Sequence, residues 1–495
     1  MDAKHVMSQP FTTIIGLEVH VQLATASKLF CRCSTKFGAA PNTQTCPVCI
    51  GMPGTLPVMN RHAFELALKT AVALNCTIAP FTKWDRKQYY YPDLPKGYQI
   101  SQYDLPLSAD GYLAISDRKG RFAPKRVGII RVHLEEDAGK SMHDEAAGRA
   151  DSCIDLNRAG TPLLEIVSQP DLRSPVEARA YLTELKLLLT YLGVSDCNMQ
   201  EGSLRVDANV NLHLDGPAGT QATPIVEVKN MNSFRAVERA LAYEAQRQHA
   251  AWQEAGPGQG DVPKQTRGWD DAAGVTRPQR AKEESSDYRY FPDPDLVPVT
   301  VTPADVARVR ASLEETPLVL RQRLVTGYGI SADDSDVLVH QGRAVVDYFV
   351  EVAHGCGDGK LASNWIQQDI LRHLNAGATT IDALAVRPAA LAQLLTMIRS
   401  GQLEASRGRA VLESMLATGA TPDDAIRGLG IRPVDDDALR ALCRELIAAN
   451  PQIVADIRHG KAKAAGALIG QAKRRNPNVN PGRVRELCME IIARM

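Results

Sequence analysis

The spacing of apolar residues changes once along the 495-residue chain, near Pro292–Pro298, and this change limits the architectures open to it. Before the change, apolar and polar residues alternate in short runs punctuated by Tyr-Pro and Gly-Pro. After it, from Thr302 onward, Leu/Ala-rich segments with helical spacing are separated by the turns GYGIS, HGCGDGK, NAGATT, RSGQ and TGATP. The pattern predicts an α+β chain, with an antiparallel-sheet domain first and an all-helical region after it. Two helices are expected inside the first part. One runs over Ala63–Asn75, and the other is opened by Ser174-Pro175-Val176-Glu177, a capping box with proline in the first turn, and closed by Gly193. The Glu254–Ser286 stretch carries GPGQG and little apolar periodicity, so a long surface loop is expected there.

Composition narrows the function classes. There are 57 basic and 57 acidic side chains, so no global charge draws the chain to a polyanion. No run reaches the roughly 18 apolar residues of a membrane span, and Met1–Pro10 has neither a basic nor an apolar leader region, so a cytoplasmic protein is expected. Charge is segregated only near the end, where nine basic residues face Asp456, Glu486 and Glu490 over the last 45 positions. The nine are Arg458, Lys461, Lys463, Lys473, Arg474, Arg475, Arg483, Arg485 and Arg494. Such a patch suits nucleic-acid phosphates, although a solvated helix face gives the same pattern.

Three alternating segments place chemistry-bearing residues on one face. In Ile15–Leu23, Leu17, Val19, Val21 and Leu23 share one side of a strand while Glu18, His20 and Gln22 share the other. Gly128–Glu135 sets Arg131, His133 and Glu135 against Ile130, Val132 and Leu134, and two more acids, Glu136 and Asp137, follow. Leu204–Asn211 sets Arg205, Asp207, Asn209 and Asn211 against an apolar face, and Glu165 interrupts the apolar run Leu163–Val167. Polar strand faces can be merely solvated. Taken together, however, they supply the oxygen ligands that Mg²⁺ accepts and the cations that neutralise a transferring phosphate, so a carboxylate-lined cradle for Mg-ATP is expected.

Other signals are narrower. No phosphate loop of the G-x-x-x-x-G-K-[ST] type occurs, Cys356 sits between helices with no strand leading into it, and no amidase-like Gly-Ser signature is present. Cys31-Arg-Cys33 followed by Cys46-Pro-Val-Cys49 offers four thiolates in two close pairs, which fits structural Zn²⁺ pinning the Lys36–Thr45 loop. Five tyrosines between Tyr89 and Tyr103 lie beside Arg86, Lys87 and Lys96, and could either stack a base or pack a proline-rich turn. In Lys282–Pro292, Lys282 and Arg289 are available for phosphate contacts.

Seven motifs in order carry a resemblance that covers nearly the whole chain: IGLEVHVQL (15–23), DRKQYYYPDLPKGYQISQYD (85–104), HLEEDAGKS (133–141), DLNRAGTPLLEIVSQPDLRS (155–174), EGSLRVDANV (201–210), EVKNMNSF (227–234) and SSDYRYFPDPDL (285–296). The sequence resembles the family of B subunits of the tRNA-dependent glutamyl/aspartyl amidotransferases. NPQIVADIRHGKAKAAGALIGQ (450–471) is similar to the helical tail of that family. The resemblance implies a cradle related to glutamine synthetase and guanido kinases over residues 1–297, a helical domain over 298–402 and a tRNA-contacting tail over 403–495.

It further implies that Mg-ATP phosphorylates the side-chain carboxylate of Glu-tRNA(Gln) or Asp-tRNA(Asn), and that ammonia then displaces the phosphate. The ammonia would come from an amidase partner subunit, with a small third subunit clamping the pair. Carried over by motif, Glu18, His20, Glu136 and Glu165 form the catalytic metal centre, with Glu135, Asp207, Arg205, Arg289 and Lys282 around the nucleotide. Strand alternation favours Glu135 on the shared face and the carry-over favours Glu136; a bulge at the strand end would reconcile them. The four cysteines match a zinc knuckle present in only some members of the family.

Overall fold

The computed structural model describes residues 11–143, 152–216, 219–255, 264–279, 288–377, 379–431, 436–459, 464–476 and 479–495. The chain divides into two compact units, Met1–Thr316 and Pro317–Met495.

The first unit is built on a ten-stranded sheet. Its strands are β1 (Phe11–Gln22), β2 (Thr77–Ile78), β3 (Ser108–Ile115), β4 (Lys125–Glu136), β5 (Pro162–Ser168), β6 (Leu204–Gly216), β7 (Gly219–Ala222), β8 (Val226–Lys229), β9 (Gln265–Asp270) and β10 (Val275–Pro278). They run in the order β10-β9-β8-β6-β1-β5-β4-β3-β2, with β7 paired to β6. Every pairing is antiparallel except β8 with β9, which is parallel.

One face of this sheet is apolar because β1, β5 and β6 each send alternate residues into it. Ile15, Leu17, Val19 and Val21 are buried there with Leu164, Ile166, Val206, Ala208 and Val210. Helices α1 (Arg61–Ala73) and α2 (Pro175–Tyr191) supply Phe64, Leu68, Leu182, Leu185 and Leu189 to the same core. Ser174 caps α2 by accepting from the Glu177 N–H, but Glu177 turns to the Arg173 N–H and Lys125, so the reciprocal half of the expected box is not formed. Helix α3 (Phe234–Ala255) adds Val237 and Leu241. Helix α4 (Pro303–Ser312) packs on α1, with Val306 and Val309 against the main core, which carries the first unit beyond the proline-marked change of pattern.

Alternation breaks once in β4. Ile129 and Val132 are both buried while Ile130 is exposed, because the β5–β4 register slips between Val167 and Ser168. The structure also corrects the expectation of a loop over Glu254–Ser286. Within it, β9 and β10 form a hairpin on the sheet edge, burying Trp269, Thr266 and Thr276, with Arg239 stacked over the indole. Residues 256–263 and 280–287 lie outside the described residues.

The second unit is helical throughout, from Pro317–Tyr328 to Pro481–Arg494, with Gly357 and Gly419 ending two helices in the left-handed conformation. Its last helices, Asp436–Ala449, Pro451–Arg458, Ala465–Arg475 and Pro481–Arg494, share a core of their own containing Leu446, Leu468, Val484 and Leu487. Cys356 is the buried last residue of the Arg343–Cys356 helix. Among the described residues no helix is long and apolar enough to cross a membrane.

Candidate active site

The other face of the sheet is left open, and the register aligns its residues in rows. His20 stands opposite Glu165 on β5 and Arg205 on β6, and Glu165 stands opposite His133 on β4. One step along, Glu18 is flanked by Asp207 and Val167. A further step brings Gly16 beside Asn209, which faces Glu227 on β8.

Two groups of potential metal ligands result. In the first, His20 Nε2 lies 3.8 Å from both Glu135 Oε1 and Glu165 Oε2. His133 Nε2 is 3.1 Å from the same Glu165 oxygen, and its buried Nδ1 has no hydrogen-bond partner among the described residues. In the second, Glu18, Asp207 and Glu227 bring ligand oxygens within 4.8 Å of one another. The Asn209 amide donates to Glu18 Oε1 at 2.9 Å, and Lys229 bridges Asp207 and Glu227. Lys229 offsets the charge of Asp207 and Glu227, and a bound cation would add to it among three carboxylates this close. An all-oxygen trio beside a mixed nitrogen–oxygen trio fits Mg²⁺ or Mn²⁺.

The surrounding charges hold Glu165 and the neighbouring Asp137 ionised. Burial opposes ionisation of Glu165, but the charge and hydrogen bond of His133, with His20 and Lys87 beyond, keep its carboxyl well below the usual range. Burial likewise opposes the charge on Asp137, and Arg205 and Arg158 override it, lowering its pKa. Arg205 donates to Asp137 Oδ1 at 2.8 Å, and Gln22 to Oδ2 at 2.9 Å, so Asp137 anchors the guanidinium next to His20. Burial and then the charges of Glu135, Asp137 and Glu136 push the Tyr89 hydroxyl well above its ordinary value.

Glu135 and Glu136 part company. The β4–β5 register runs unbroken from Val132 to Glu136, so the bulge that could have reconciled the two acids is absent and they point to opposite sides. Glu135 joins His20 and Glu165. Glu136 is buried on the other side, paired with Lys96 and accepting the Ile100 N–H at 2.9 Å. There it lines a cavity of about 190 Å³ together with Lys28, Cys31, Cys49, Lys96 and Tyr98.

Cys31, Cys33, Cys46 and Cys49 come together as the spacing requires, with sulfurs within 4.8 Å of one another. A hydrogen bond from Cys31 and the nearby Lys28 charge lower the Cys49 thiol to about 4, while burial and Cys46 raise Cys33 to about 11. Four crowded thiols cannot all ionise without a cation, and Zn²⁺ fits this donor set. The Lys36–Thr45 loop beside it is tied to the segment leading into β5. Asn42 donates to the Ile154 carbonyl, and Asn157 accepts the Gln44 N–H and donates to the Ala40 carbonyl.

The tyrosine-rich segments pack on each other. Asp85–Gln88 pairs with Tyr98–Ser101 and Phe291–Pro292, Arg86 stacks on Tyr98, and Tyr103 lies flat on Tyr290 with ring centroids 3.9 Å apart. Lys87 sits over Tyr288, while Tyr90 stays exposed. Arg289 is exposed at the edge of this layer, and Lys282 lies outside the described residues.

Sequence reasoning placed Asn209 and Asp137 on the acid-lined strands without giving them a role, and did not single out Glu227 or Lys229. The alternation Val226-Glu227-Val228-Lys229 was the available signal for the latter pair, but four residues are too few to distinguish a strand by period alone.

The family described as the GatB/GatE catalytic domain matches residues 13–307, and the GatB domain matches residues 347–492. A protein of Rhodopirellula baltica, named as the B component of aspartyl/glutamyl-tRNA(Asn/Gln) amidotransferase, is 60% identical over 486 residues, covering 98% of each chain. Proteins of the same name from Moorella thermoacetica and Thermosynechococcus vestitus are 50% and 47% identical. The first covers 97% of this chain and 99% of its own, the second 95% and 94%.

Proposed function

The chain belongs to the family of B subunits of the aspartyl/glutamyl-tRNA(Asn/Gln) amidotransferases, and from that premise we propose that it performs ATP-dependent transamidation of Glu-tRNA(Gln) or Asp-tRNA(Asn). The observation that carries this reading is the pair of acidic clusters one strand step apart on the open face of the sheet.

A carboxylate is a poor acyl donor because oxide does not leave. Transfer of the γ-phosphoryl of ATP to the side-chain carboxylate gives an acyl phosphate and ADP; attack of ammonia on its carbonyl carbon then expels phosphate and leaves the amide. Each residue has a part in this. His20, Glu135 and Glu165 form one divalent-ion site, and Glu18, Asp207 and Glu227 form the other. Bound Mg²⁺ supplies charge neutralisation to the phosphates. Arg205, held by Asp137, and Lys87 and Lys229 present positive charge to the same space. Glu136 is assigned to the cavity wall with Lys96 rather than to the metal ligands.

The four cysteines hold Zn²⁺ as a closed structural site that fixes the Lys36–Thr45 loop and, through Asn157, the approach to Arg158. Ammonia comes from an amidase partner subunit, with a small third subunit in the same cytoplasmic assembly. The basic last helices contact tRNA. The reading keeps three functional parts, a cradle to residue 297, a helical domain to 402 and a tail, while the first compact unit runs on to Thr316.

Reconstitution with the partner subunits, glutamine, Mg-ATP and misacylated tRNA tests the reading. ADP release and amide formation that require Glu165 support it. Amide formation without ADP release, or unchanged turnover in Glu165→Gln, would instead make the chain a tRNA-docking scaffold.

A further inference from the structure

Among the described residues Lys28 is the only wholly buried lysine or arginine, with 0% of its surface exposed. It lies in the segment between β1 and α1 that carries the four cysteines, and its backbone N–H donates to the Cys33 carbonyl at 3.0 Å. The side chain runs inward past the second cysteine pair. Its Nζ donates to the Gln44 carbonyl at 2.8 Å and to the Leu156 carbonyl at 3.4 Å, and lies 3.6 Å from Cys49 Sγ. An ammonium has three N–H bonds to place, and these atoms take them all.

The hydrogen bonds are satisfied, but the charge still needs a partner. An ion taken out of water is costly unless an opposite charge lies close by, and carbonyls supply only dipoles. Among the described residues no carboxylate comes within ion-pair distance of Nζ. Glu136 lines the same cavity but is engaged by Lys96. Sulfur is the remaining anionic partner. The cysteine site has the converse difficulty, because Zn²⁺ with four thiolates keeps a net double negative charge, and Cys49 is itself buried. One ammonium beside Cys49 offsets half of that charge. The Cys46 N–H, 3.1 Å from the same sulfur, adds a second donor.

We infer that Lys28 is a positioning residue of the zinc site, whose buried ammonium is the counter-charge that lets four thiolates hold a divalent ion inside the fold. The inference rests on the reading of the four cysteines as a zinc site. The same ammonium reaches three segments at once: Gln44 in the Lys36–Thr45 loop, Leu156 in the segment leading into β5, and Cys49 in the knuckle. Groups that bond to metal ligands orient them and tune the metal, as this one does through sulfur. A purely mechanical tie would need the two carbonyl bonds and no charge, and the two roles separate by experiment.

The test uses the full-length chain in its reconstituted complex, stripped of metal, with Co²⁺ and Zn²⁺ as probes. The thiolate-to-cobalt charge-transfer band reports the cysteine site alone, and its titration gives the affinity; competition with a chelator gives the same for Zn²⁺. Lys28→Met keeps the length of the side chain and removes its charge. It is expected to lower both affinities by roughly tenfold to a hundredfold. The band should move to longer wavelength, since a thiolate without a neighbouring positive charge gives up an electron more readily. Lys28→Gln, which keeps an N–H donor for the carbonyls without the charge, should show the same losses and serves if Lys28→Met does not fold. Wild-type affinity in either variant overturns the inference, even where the Lys36–Thr45 loop opens to protease. Affinity that falls with the band unmoved reduces Lys28 to a mechanical tie and overturns it as well. Wild-type complex without a thiolate-to-cobalt band removes the zinc reading and the inference together, whereas a wild-type band that the variants reproduce removes the inference alone.

Discussion

His133 Nε2 lies 3.1 Å from Glu165 Oε2, on directly opposed residues of neighbouring strands, and His20 approaches the same oxygen from the other side at 3.8 Å. Glu165 is thus held between two imidazoles, and a carboxylate in the middle of an apolar strand becomes the pivot of the first cluster. In the proposed reading, His133 supports the ion site through Glu165 rather than serving as a ligand. His133→Gln is expected to lower Mn²⁺ affinity by about tenfold to a hundredfold with the ligands themselves intact. Paramagnetic resonance of bound Mn²⁺ measures this, and unchanged affinity would remove His133 from that role.

The separation of Glu135 from Glu136 gives a second prediction. Glu135→Gln and Glu165→Gln should each weaken divalent-ion binding by at least about tenfold, since a carboxylate ligand is lost. Glu136→Gln should leave ion binding unchanged, because its carboxylate faces Lys96 across the sheet. An equal loss in all three would place Glu136 among the ligands after all.

Much of this arrangement was legible in the sequence. The division of Leu17, Val19 and Val21 from Glu18, His20 and Gln22 follows from period-two alternation alone, and it holds for Arg205, Asp207 and Asn209 on β6. Which rows meet was not legible, because register depends on pairings between residues far apart in sequence. That is why nothing in the sequence ties Glu227 to Asp207, which it approaches only across β6 and β8. It is also why Ile130, which alternation puts on the buried face, turns outward at the register slip. The β9–β10 hairpin is hidden by polar residues and glycine. Its buried members, Thr266, Gly268, Trp269 and Thr276, form no apolar run.

Asp137 sets a pH dependence of stability. Its pKa is depressed in the folded chain despite burial, chiefly by Arg205 and then Arg158. A depressed carboxylate contributes stability above its unfolded value, near about 3.9, and loses it as pH falls through the folded value. Asp137→Asn should therefore unfold more easily than wild type at pH 7, by about 3 kcal/mol, since Arg205 is left without its counter-charge. The gap should narrow as pH falls below about 4. Urea unfolding of both proteins across this range checks it, and a gap independent of pH would contradict it.

Metal analysis tests the cysteine site. Purified chain should contain one zinc, and Cys46→Ser or Cys49→Ser should lose it. Because the knuckle holds the Lys36–Thr45 loop against Asn157, zinc loss should also open that loop to limited proteolysis. A zinc-free wild type with a protease-resistant loop would show that the thiols hold the loop without metal.

The basic end is partly neutralised within its own unit. Lys473 pairs with Glu404, Arg475 with Glu445 and Arg494 with Glu490, whereas Arg474 and Arg485 make no ion pair among the described residues. Arg474→Glu with Arg485→Glu should weaken tRNA binding more than the same change at Arg475 and Arg494. It should also flatten the dependence of affinity on salt by about one to two in the log–log slope. Equal effects of the two pairs would argue against a specific tRNA-facing surface.

The most direct test of the central claim, that these two acidic clusters activate an acyl carboxylate by phosphorylation, withholds both glutamine and ammonia. Complex given misacylated tRNA and Mg-ATP, then quenched into hydroxylamine, should yield ADP and an aminoacyl hydroxamate in equal amounts, and His20→Ala and Glu165→Gln should yield neither. Hydroxamate at wild-type levels in those variants, or amide formed on adding ammonia without any ADP, would contradict it.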